Sequence, residues 1–550
     1  MSEISTPAEK RWLAALFLAA AVLYSFGMTR TGFEGKDERR YAQVAKELSG
    51  GSGLFVMHYL GDLYPDKPPL FFWAEALSFR LLGGVSPAAA RLPLFISALA
   101  ALAFAYALMR QIDGPRAALA GTAALALSFR FLWAGRWVKL DMPMCAFTFA
   151  AFWATARILF PKAGQKPAGP AWALAAWASA GLSVLAKGPG AVVWLGAILT
   201  YAAARRDGSA LRRHRFGWGL LVLAAVVGAW LGPAMALGGP DYYGPMFGSH
   251  VAERFVGLVR HEEPFWYFLP KLLSDGLPMT LFLPAAVWQA WGRRHRAGDD
   301  GRTTFLLAWI GFGLVFFSIP SGKRGQYVLP LYPAAALLAA RFFWASLAER
   351  DGLPGRVLRW HLGASGWGLV GAGAAALFSY GRISREFLTP PPLALRAGLC
   401  AALAAGGAAS LLALRRGKEG LALAAQAGAV CAAYLLLFGV FFPLNRDDST
   451  PRGAAERIAQ EGGGGAQVGL YGIDDRFTLY GEGVPRILDS RDEADSFMSE
   501  GPDRWLLATN EKIESYAAAR GAPPWREVAR WPDRQDNQPF EVTLYRPNGR

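Results

Sequence analysis

The feature that most constrains this chain is the recurrence of apolar runs of about 18 residues or more, the length a helix needs to cross the hydrocarbon layer of a bilayer. The first, "WLAALFLAAAVLYSFGM" (Trp12 to Met28), follows Lys10 and Arg11, and no small-residue cleavage site comes after it. It therefore reads as a retained helix and not as a signal peptide. Charged residues make up 18% of the chain, below the roughly 25% of an ordinary soluble domain, and 53% of residues are hydrophobic. The expectation is a mainly α, polytopic membrane protein with about 13 transmembrane helices. They are placed near 11–29, 87–109, 115–133, 140–160, 170–186, 189–204, 216–236, 267–291, 303–319, 326–346, 361–380, 392–414 and 420–443.

The net charge of +15 does not point to nucleic acid, because the basic clusters alternate between successive apolar spans. "RRDGSALRRHR" from Arg205, "GRRHRAGDDGR" from Gly292, "ERDGLPGRVLR" from Glu349 and "RRGKEG" from Arg415 are short loops of the kind that mark the cytoplasmic side and touch anionic lipid. With the N-terminus inside, an odd number of crossings leaves everything after Phe442 outside, in the periplasm of a Gram-negative cell. The predicted location is the inner (plasma) membrane. Cys145, Cys400 and Cys431 all lie inside apolar spans without metal-ligand spacing, and read as small buried residues.

Outward loops differ from inward ones. The two long ones, about 30–86 and 237–266, mix acids, bases and aromatics. In the first, "DERRYAQVAKEL" has Tyr41, Val44, Ala45 and Leu48 at helical spacing, and "PPLFFWAEALSFRLLG" is amphipathic; both predict helices lying along the membrane surface. Pro68 and Pro69 suit the start of the second. After a transmembrane domain at 1–444, residues 445–550 turn polar, with short apolar strands "AQVGLYGI", "PRILD", "RWLLAT" and "EVTLYR". Helical stretches "PRGAAERIAQ" and "EADSFMSE" lie between, which predicts a small extracytoplasmic α/β domain. "EGGGG" at Glu461 reads as a helix-ending turn because no P-loop pattern follows, and "GAGAAA" near Gly371 as helix packing.

Five pieces fall at outer span ends or in outer loops: "KDERRY" (Lys36 to Tyr41), "YPDKPPLFFW" (Tyr64 to Trp73), "RWVKLDMP" (Arg136 to Pro143), "LAKGP" (Leu185 to Pro189) and "SGKRGQYVLPLYP" (Ser321 to Pro333). A sixth, "HVAERF" (His250 to Phe255), lies in the second long loop. Singly, each has a plain explanation: span-end Arg and Lys snorkel, and Asp141 caps a helix. Lys187-Gly188-Pro189 makes a turn, and Trp73, Trp266 and Tyr267 anchor at the interface. As a set they point to a site, because ionisable groups near membrane depth are costly. Asp37 and Asp141 are candidate bases. Arg40, Lys67, Lys187, Lys323 and Arg254 supply positive charge. Cations converging on a carboxylate suit departure of an anionic phosphate while a base takes a proton from a hydroxyl. Arg grips phosphate through paired hydrogen bonds, whereas Lys acts as a point charge.

"DERRYAQVAKEL", the "KPPL" turn entering "LSFRLLG", then "ARLP", "LDMP", "LAKGP", "PFWYFLP" and "GKRGQYVLPLYP" occur in this order over roughly Trp12 to Phe343. In these motifs the chain resembles the glycosyltransferase family 39 and aminoarabinose-transferase superfamily, which includes the protein O-mannosyltransferases. The resemblance implies an integral-membrane GT-C fold. It also implies inverting transfer of a hexose or pentose from a polyprenyl-phosphate donor to a lipid, glycan or protein acceptor on the outer face. Undecaprenyl phosphate is the implied lipid in a bacterium. Asp37 would be the leading catalytic carboxylate and Asp141 a second site acid, with Arg40, Lys67, Lys187, Tyr327 and Lys323 about the donor phosphate. Some relatives hold a metal ion between the acid preceding the "KPP" lysine and a His of the second loop. Here Asp66 supplies the acid, and His250 stands four residues before Arg254 where the aminoarabinose enzymes have a spacing of three. A divalent metal at Asp66 and His250 and the absence of any cofactor are both left open. The competing class is a multi-pass transporter or lipid flippase, which should show internal symmetry and mid-span ionisable residues; neither is read here. A catalytically dead scaffold would need the Asp37 and Lys67 segments broken, and they are intact.

Overall fold

A computed structural model describes residues 7–33, 35–188, 190–247, 263–293, 300–378, 392–445, 449–462, 466–473, 475–481, 485–535 and 538–548. Each apolar run folds as a helix or as a broken helix where a crossing is expected. In chain order the first elements are α1 (Pro7–Ser25), α2 (Gly35–Ser49), the hairpin β1 (His58–Tyr59) and β2 (Asp62–Leu63), and α3 (Leu70–Leu81). There follow α4 (Pro87–Asp113), α5 (Pro115–Leu127), α6 (Phe129–Ala134), α7 (Asp141–Leu159), α8 (Pro170–Ala186), α9 (Gly190–Arg205), α10 (Gly208–Arg213) and α11 (Phe216–Phe247). The second half carries α12 (Phe268–Asp275), α13 (Leu283–Arg293), α14 (Arg302–Ser318), α15 (Tyr332–Ala348), α16 (Leu353–Phe378), α17 (Leu393–Arg415) and α18 (Glu419–Leu436). Among the described helices, 6 are long and apolar enough to cross a membrane, and α8, α9 and α14 are shorter apolar helices.

Local chemistry sets several boundaries. The Ser86 side chain accepts from the Ala89 N–H at 3.2 Å to cap α4, and proline stands in the first turn of α4, α5 and α8, where a missing N–H costs nothing. The predicted crossing at 267–291 is broken into α12, a short 3-10 turn and α13, with Gly276 and Pro278 at the break. α16 and α17 approach closely enough that a Cβ on Gly407 would meet the Gly366 carbonyl at 2.5 Å, the small-residue packing that lipid-embedded helices use.

The C-terminal part is a five-stranded sheet with order β4-β3-β5-β7-β6. In chain order it comprises α19 (Ser449–Gly462), β3 (Gln467–Tyr471), β4 (Arg486–Leu488), α20 (Arg491–Ser499), β5 (Arg504–Thr509), α21 (Asn510–Arg520), β6 (Trp525–Gln535) and β7 (Gln538–Pro547). β3 runs parallel to β4 and β5, while β7 is antiparallel to β5 and β6. The expected α/β character is present, and α19 ends at Gly462 as the glycine run predicts. Strand β6 and helix α21 are additions that the sequence reading did not contain.

Candidate active site

The site grows from α2. Gly35 opens the helix at φ +63°, a conformation open to glycine without strain. The face made by Tyr41, Val44, Ala45 and Leu48 is buried, as their spacing predicts. Its first turn is anchored by a buried pair: Arg91 Nε donates to Glu38 Oε1 at 2.8 Å and Nη2 to Oε2 at 3.0 Å. The remaining Arg91 donors go to the carbonyls of Met28 at 2.6 Å, Thr31 at 3.1 Å and Gly32 at 2.5 Å. Arg136 likewise donates to the carbonyls of Leu23, Tyr24 and Phe26, which close the end of α1. These arginines spend their charge on architecture.

Asp37, in the first turn of α2 and partly exposed, faces two cations. Lys139 Nζ donates to its Oδ2 at 3.0 Å, and Arg324 Nη1 lies 3.4 Å from the same oxygen. Burial pushes the Asp37 carboxyl up, but Lys139, Arg324 and Arg40 outweigh it and hold its pKa below the ordinary value. One turn on, Arg40 stands over the Tyr59 ring with its guanidinium carbon 5.6 Å from the centroid. Burial lowers its pKa, but Tyr64, Tyr59 and Asp66 outweigh that and keep it a fixed cation. Its Nε is buried with no hydrogen-bond partner among the described residues.

The hairpin and the turn that follows it bring Tyr59, Tyr64 and Asp66 to Arg40, with Lys67 next in the chain. Lys67 Nζ donates to the Asp66 carbonyl at 3.0 Å. The loop leading into the hairpin is fixed by indoles: Trp73 Nε1 donates to the Leu54 carbonyl at 2.8 Å and Trp230 Nε1 to that of Phe55 at 2.9 Å. Asp141 is the first residue of α7, with Leu140 at the N-cap position. It makes a salt bridge with Lys187 at the end of α8, and Lys187 Nζ sits 5.2 Å from the centre of the Tyr327 ring. Tyr41 links the two groups: burial raises its pKa well above the usual value, and the charges of Asp37 and Asp141 add to the rise.

The structure thus brings Asp37, Arg40 and the Asp66–Lys67 turn together, with Asp141, Lys187 and Tyr327 beside them. Lys323 is turned away: it is buried, and its Nζ donates to the Glu263 carbonyl at 2.7 Å. Its neighbour Arg324 reaches Asp37 instead. Lys139 and Arg324 were not picked out from sequence; both lie within motifs read there, but nothing local marks either as a partner of Asp37. His250 and Arg254 lie outside the described residues. Among the described residues no group of three His, Cys, Asp or Glu could hold a metal ion, and of the expected metal pair only Asp66 is placed, in the field of the Arg40 guanidinium. Chemically, the arrangement offers an ionised carboxylate, a buried unpaired Nε–H and several basic side chains close together. It is suited to an anionic ligand and to proton transfer beside it.

Residues 66–231 match the family model of dolichyl-phosphate-mannose-protein mannosyltransferase. The undecaprenyl phosphate-alpha-4-amino-4-deoxy-L-arabinose arabinosyl transferase 1 of Pseudomonas fluorescens is 31% identical over 353 residues, 60% of this chain and 59% of that protein. Its counterpart from Pectobacterium atrosepticum is 29% identical over 378 residues, 67% of this chain and 65% of that one. The chain spans about three fifths of the length of the curated relatives it matches. In structure it superposes on ArnT from Cupriavidus metallidurans bound to undecaprenyl phosphate with a TM-score of 0.76 at 20% identity, over 97% of this chain and 98% of that one. The archaeal oligosaccharyltransferase AglB from Archaeoglobus fulgidus gives 0.52 at 12% identity, over 95% of this chain and 72% of that one. These findings bear out the resemblance read from the motifs and the GT-C membrane fold it implies.

Proposed function

We propose that this chain is an inverting glycosyltransferase of the inner membrane that moves a sugar from an undecaprenyl-phosphate donor to a lipid, glycan or protein acceptor on the outer face. The single observation that carries this reading is the setting of Asp37, an ionised carboxylate with Lys139 and Arg324 on it and Arg40 one turn away. The relatives' names supply the donor class, since they are undecaprenyl-phosphate aminoarabinose transferases. Nothing in the fold or the relatives favours a transporter or flippase.

In the reaction, Asp37 takes the proton of an acceptor hydroxyl as its oxygen attacks the anomeric carbon from the face opposite the phosphate. A bond forms between the acceptor oxygen and the anomeric carbon while the bond from that carbon to the phosphate oxygen breaks. The pair of electrons leaves with polyprenyl phosphate, and attack from the far face inverts the centre. Arg40, with its unpaired Nε–H, and Lys67 hold the leaving phosphate, joined by Lys187 against Tyr327. Arg324, and not the turned-away Lys323, faces this site from the 321–327 turn. Asp141 keeps Lys187 in place through their salt bridge. Were a divalent ion bound by Asp66 and His250, it would supply further positive charge at the phosphate. This reading assigns residues 1–444 to catalysis in the membrane and 445–550 to a domain outside it.

Transfer from a panel of radiolabelled polyprenyl-phosphate sugars, in membranes holding the wild type or Asp37→Asn, tests the reading. Label should reach a lipid, glycan or protein fraction with the wild type, and fall by about 10²- to 10⁴-fold in Asp37→Asn, the range a general base contributes. Near-normal turnover by Asp37→Asn would remove Asp37 from the chemistry. No transfer by the wild type from any donor, with lipid flipping in the same vesicles, would overturn the enzyme reading itself.

A further inference from the structure

The contact between the C-terminal domain and α2 carries an inference of its own. The short 3-10 helix Asp475–Thr478 ends with carbonyls pointing at α2. Lys46 Nζ donates to the carbonyl of Thr478 at 2.7 Å and to that of Gly481 at 2.5 Å, a cation closing a helix C-terminus. Thr478 Oγ1 donates to Gln43 Oε1 at 3.0 Å, and Gln43 Nε2 donates to Glu47 Oε1 at 2.8 Å. The Glu47 carboxylate in turn accepts from the backbone N–H of Leu60 at 2.7 Å and of Gly61 at 3.2 Å, the two residues that turn the hairpin. Leu479 packs into the core of the membrane domain, and the Tyr480 ring lies 6.0 Å from that of Phe33 just ahead of α2. A continuous set of hydrogen bonds therefore runs from the C-terminal domain, across the second half of α2, to the hairpin that bears Tyr59 and leads into the Asp66–Lys67 turn.

We propose that the C-terminal domain is a positioning part of the active site, and that Lys46, with Gln43 and Glu47, is a positioning residue for Asp37 and the Lys67 hairpin. The role of Asp37 and Lys67 in this rests on the glycosyltransferase reading; the mechanical coupling does not. Asp37 lies at the start of the same helix that Lys46 pins near its end, so a tilt of α2 moves the carboxylate and its two cations apart. Releasing the Glu47 contact with the hairpin moves Lys67 relative to Arg40. A misplacement of about 1 Å costs up to about 100-fold in rate.

The test uses the full-length protein with Lys46→Met, Lys46→Arg and Gln43→Leu. The first keeps the aliphatic stem and removes the donor, and the second restores a donor. Two readouts are taken on protein that keeps a wild-type melting midpoint in detergent. Hydrogen exchange at the amides of Leu60 and Gly61 should quicken in Lys46→Met and Gln43→Leu and return towards wild type in Lys46→Arg. Turnover should fall about 10- to 100-fold in Lys46→Met, with KM for the donor raised, and recover in part in Lys46→Arg. A merely structural lysine would lower the midpoint and leave the kinetics of the folded fraction unchanged. Unchanged exchange at Leu60 and Gly61 in both variants overturns the proposal. A wild type without transfer sinks the glycosyltransferase reading alone, because the exchange measurement still decides the coupling.

Discussion

Asp37 accepts a hydrogen bond from Lys139 and has Arg324 3.4 Å away, and these contacts fix how it titrates. Burial alone would favour the neutral acid, but the cations outweigh it and the folded pKa lies below the ordinary value of about 3.9. The stabilisation from these ion pairs is full above the unfolded pKa and is lost as pH falls through the lower folded one. Asp37 is thus in its basic form throughout neutral and mildly acidic conditions, and the acid limb it sets in the pH profile of kcat/KM lies below the usual carboxylate range. Lys139→Gln removes the cation with the greatest effect, so that limb should move to higher pH; superimposable profiles would show that Lys139 does not tune the base. None of this pairing was legible beforehand, because Lys139 and Arg324 lie 102 and 287 positions from Asp37. Lys323 was picked from the same tripeptide, but its neighbour makes the contact: adjacent side chains on this extended turn point opposite ways.

Helix α2 was far more legible, since Tyr41, Val44, Ala45 and Leu48 repeat at helical spacing and all are buried. Its anchor was not: "ARLP" stands in the sequence only as one of the series of motifs, and only folding brings Arg91 back 53 positions to Glu38. With side-chain exposures of 0% and 1%, that pair is wholly removed from water. Removing one partner strands the other charge and costs about 3–5 kcal/mol. Arg91→Met should therefore lower the melting midpoint of the purified protein sharply, and the double variant Arg91→Met, Glu38→Gln should recover part of the loss. A single variant as stable as wild type would mean that the loop before α2 holds without this pair. Strand β6 was missed for a different reason. "WREVARWPDRQ" is rich in charge, contains Pro532 and lies at the sheet edge, so its strand character comes from pairing with β7 and not from its own pattern.

The whole molecule turns on one topological claim, that the site and the C-terminal domain share the outer side. Lys46 touches Thr478, so α2, Asp37 and the sheet domain lie together whichever side that is. Charge points to the side: Arg205, Arg212 and Arg213 cluster in the short segment around α10, between the apolar helices α9 and α11, as lysines and arginines do in cytoplasmic loops. The proposed transfer on the outer face needs Asp37 on the opposite side. The arrangement can be tested by replacing Cys145, Cys400 and Cys431 with serine and introducing single thiols at exposed positions on each side. Asp492→Cys, where the native side chain is 82% exposed in the sheet domain, should react in intact cells with a small membrane-impermeant maleimide. Arg213→Cys, where the native side chain is 40% exposed, should react only after the inner membrane is opened. The reverse pattern would put Asp37 in the cytoplasm, where the positive-inside bias and the outer-face reaction would both be wrong. Labelling of both thiols in intact cells would mean that the basic α10 segment is not a cytoplasmic loop, and the count of crossings between α9 and the sheet domain would have to change by one.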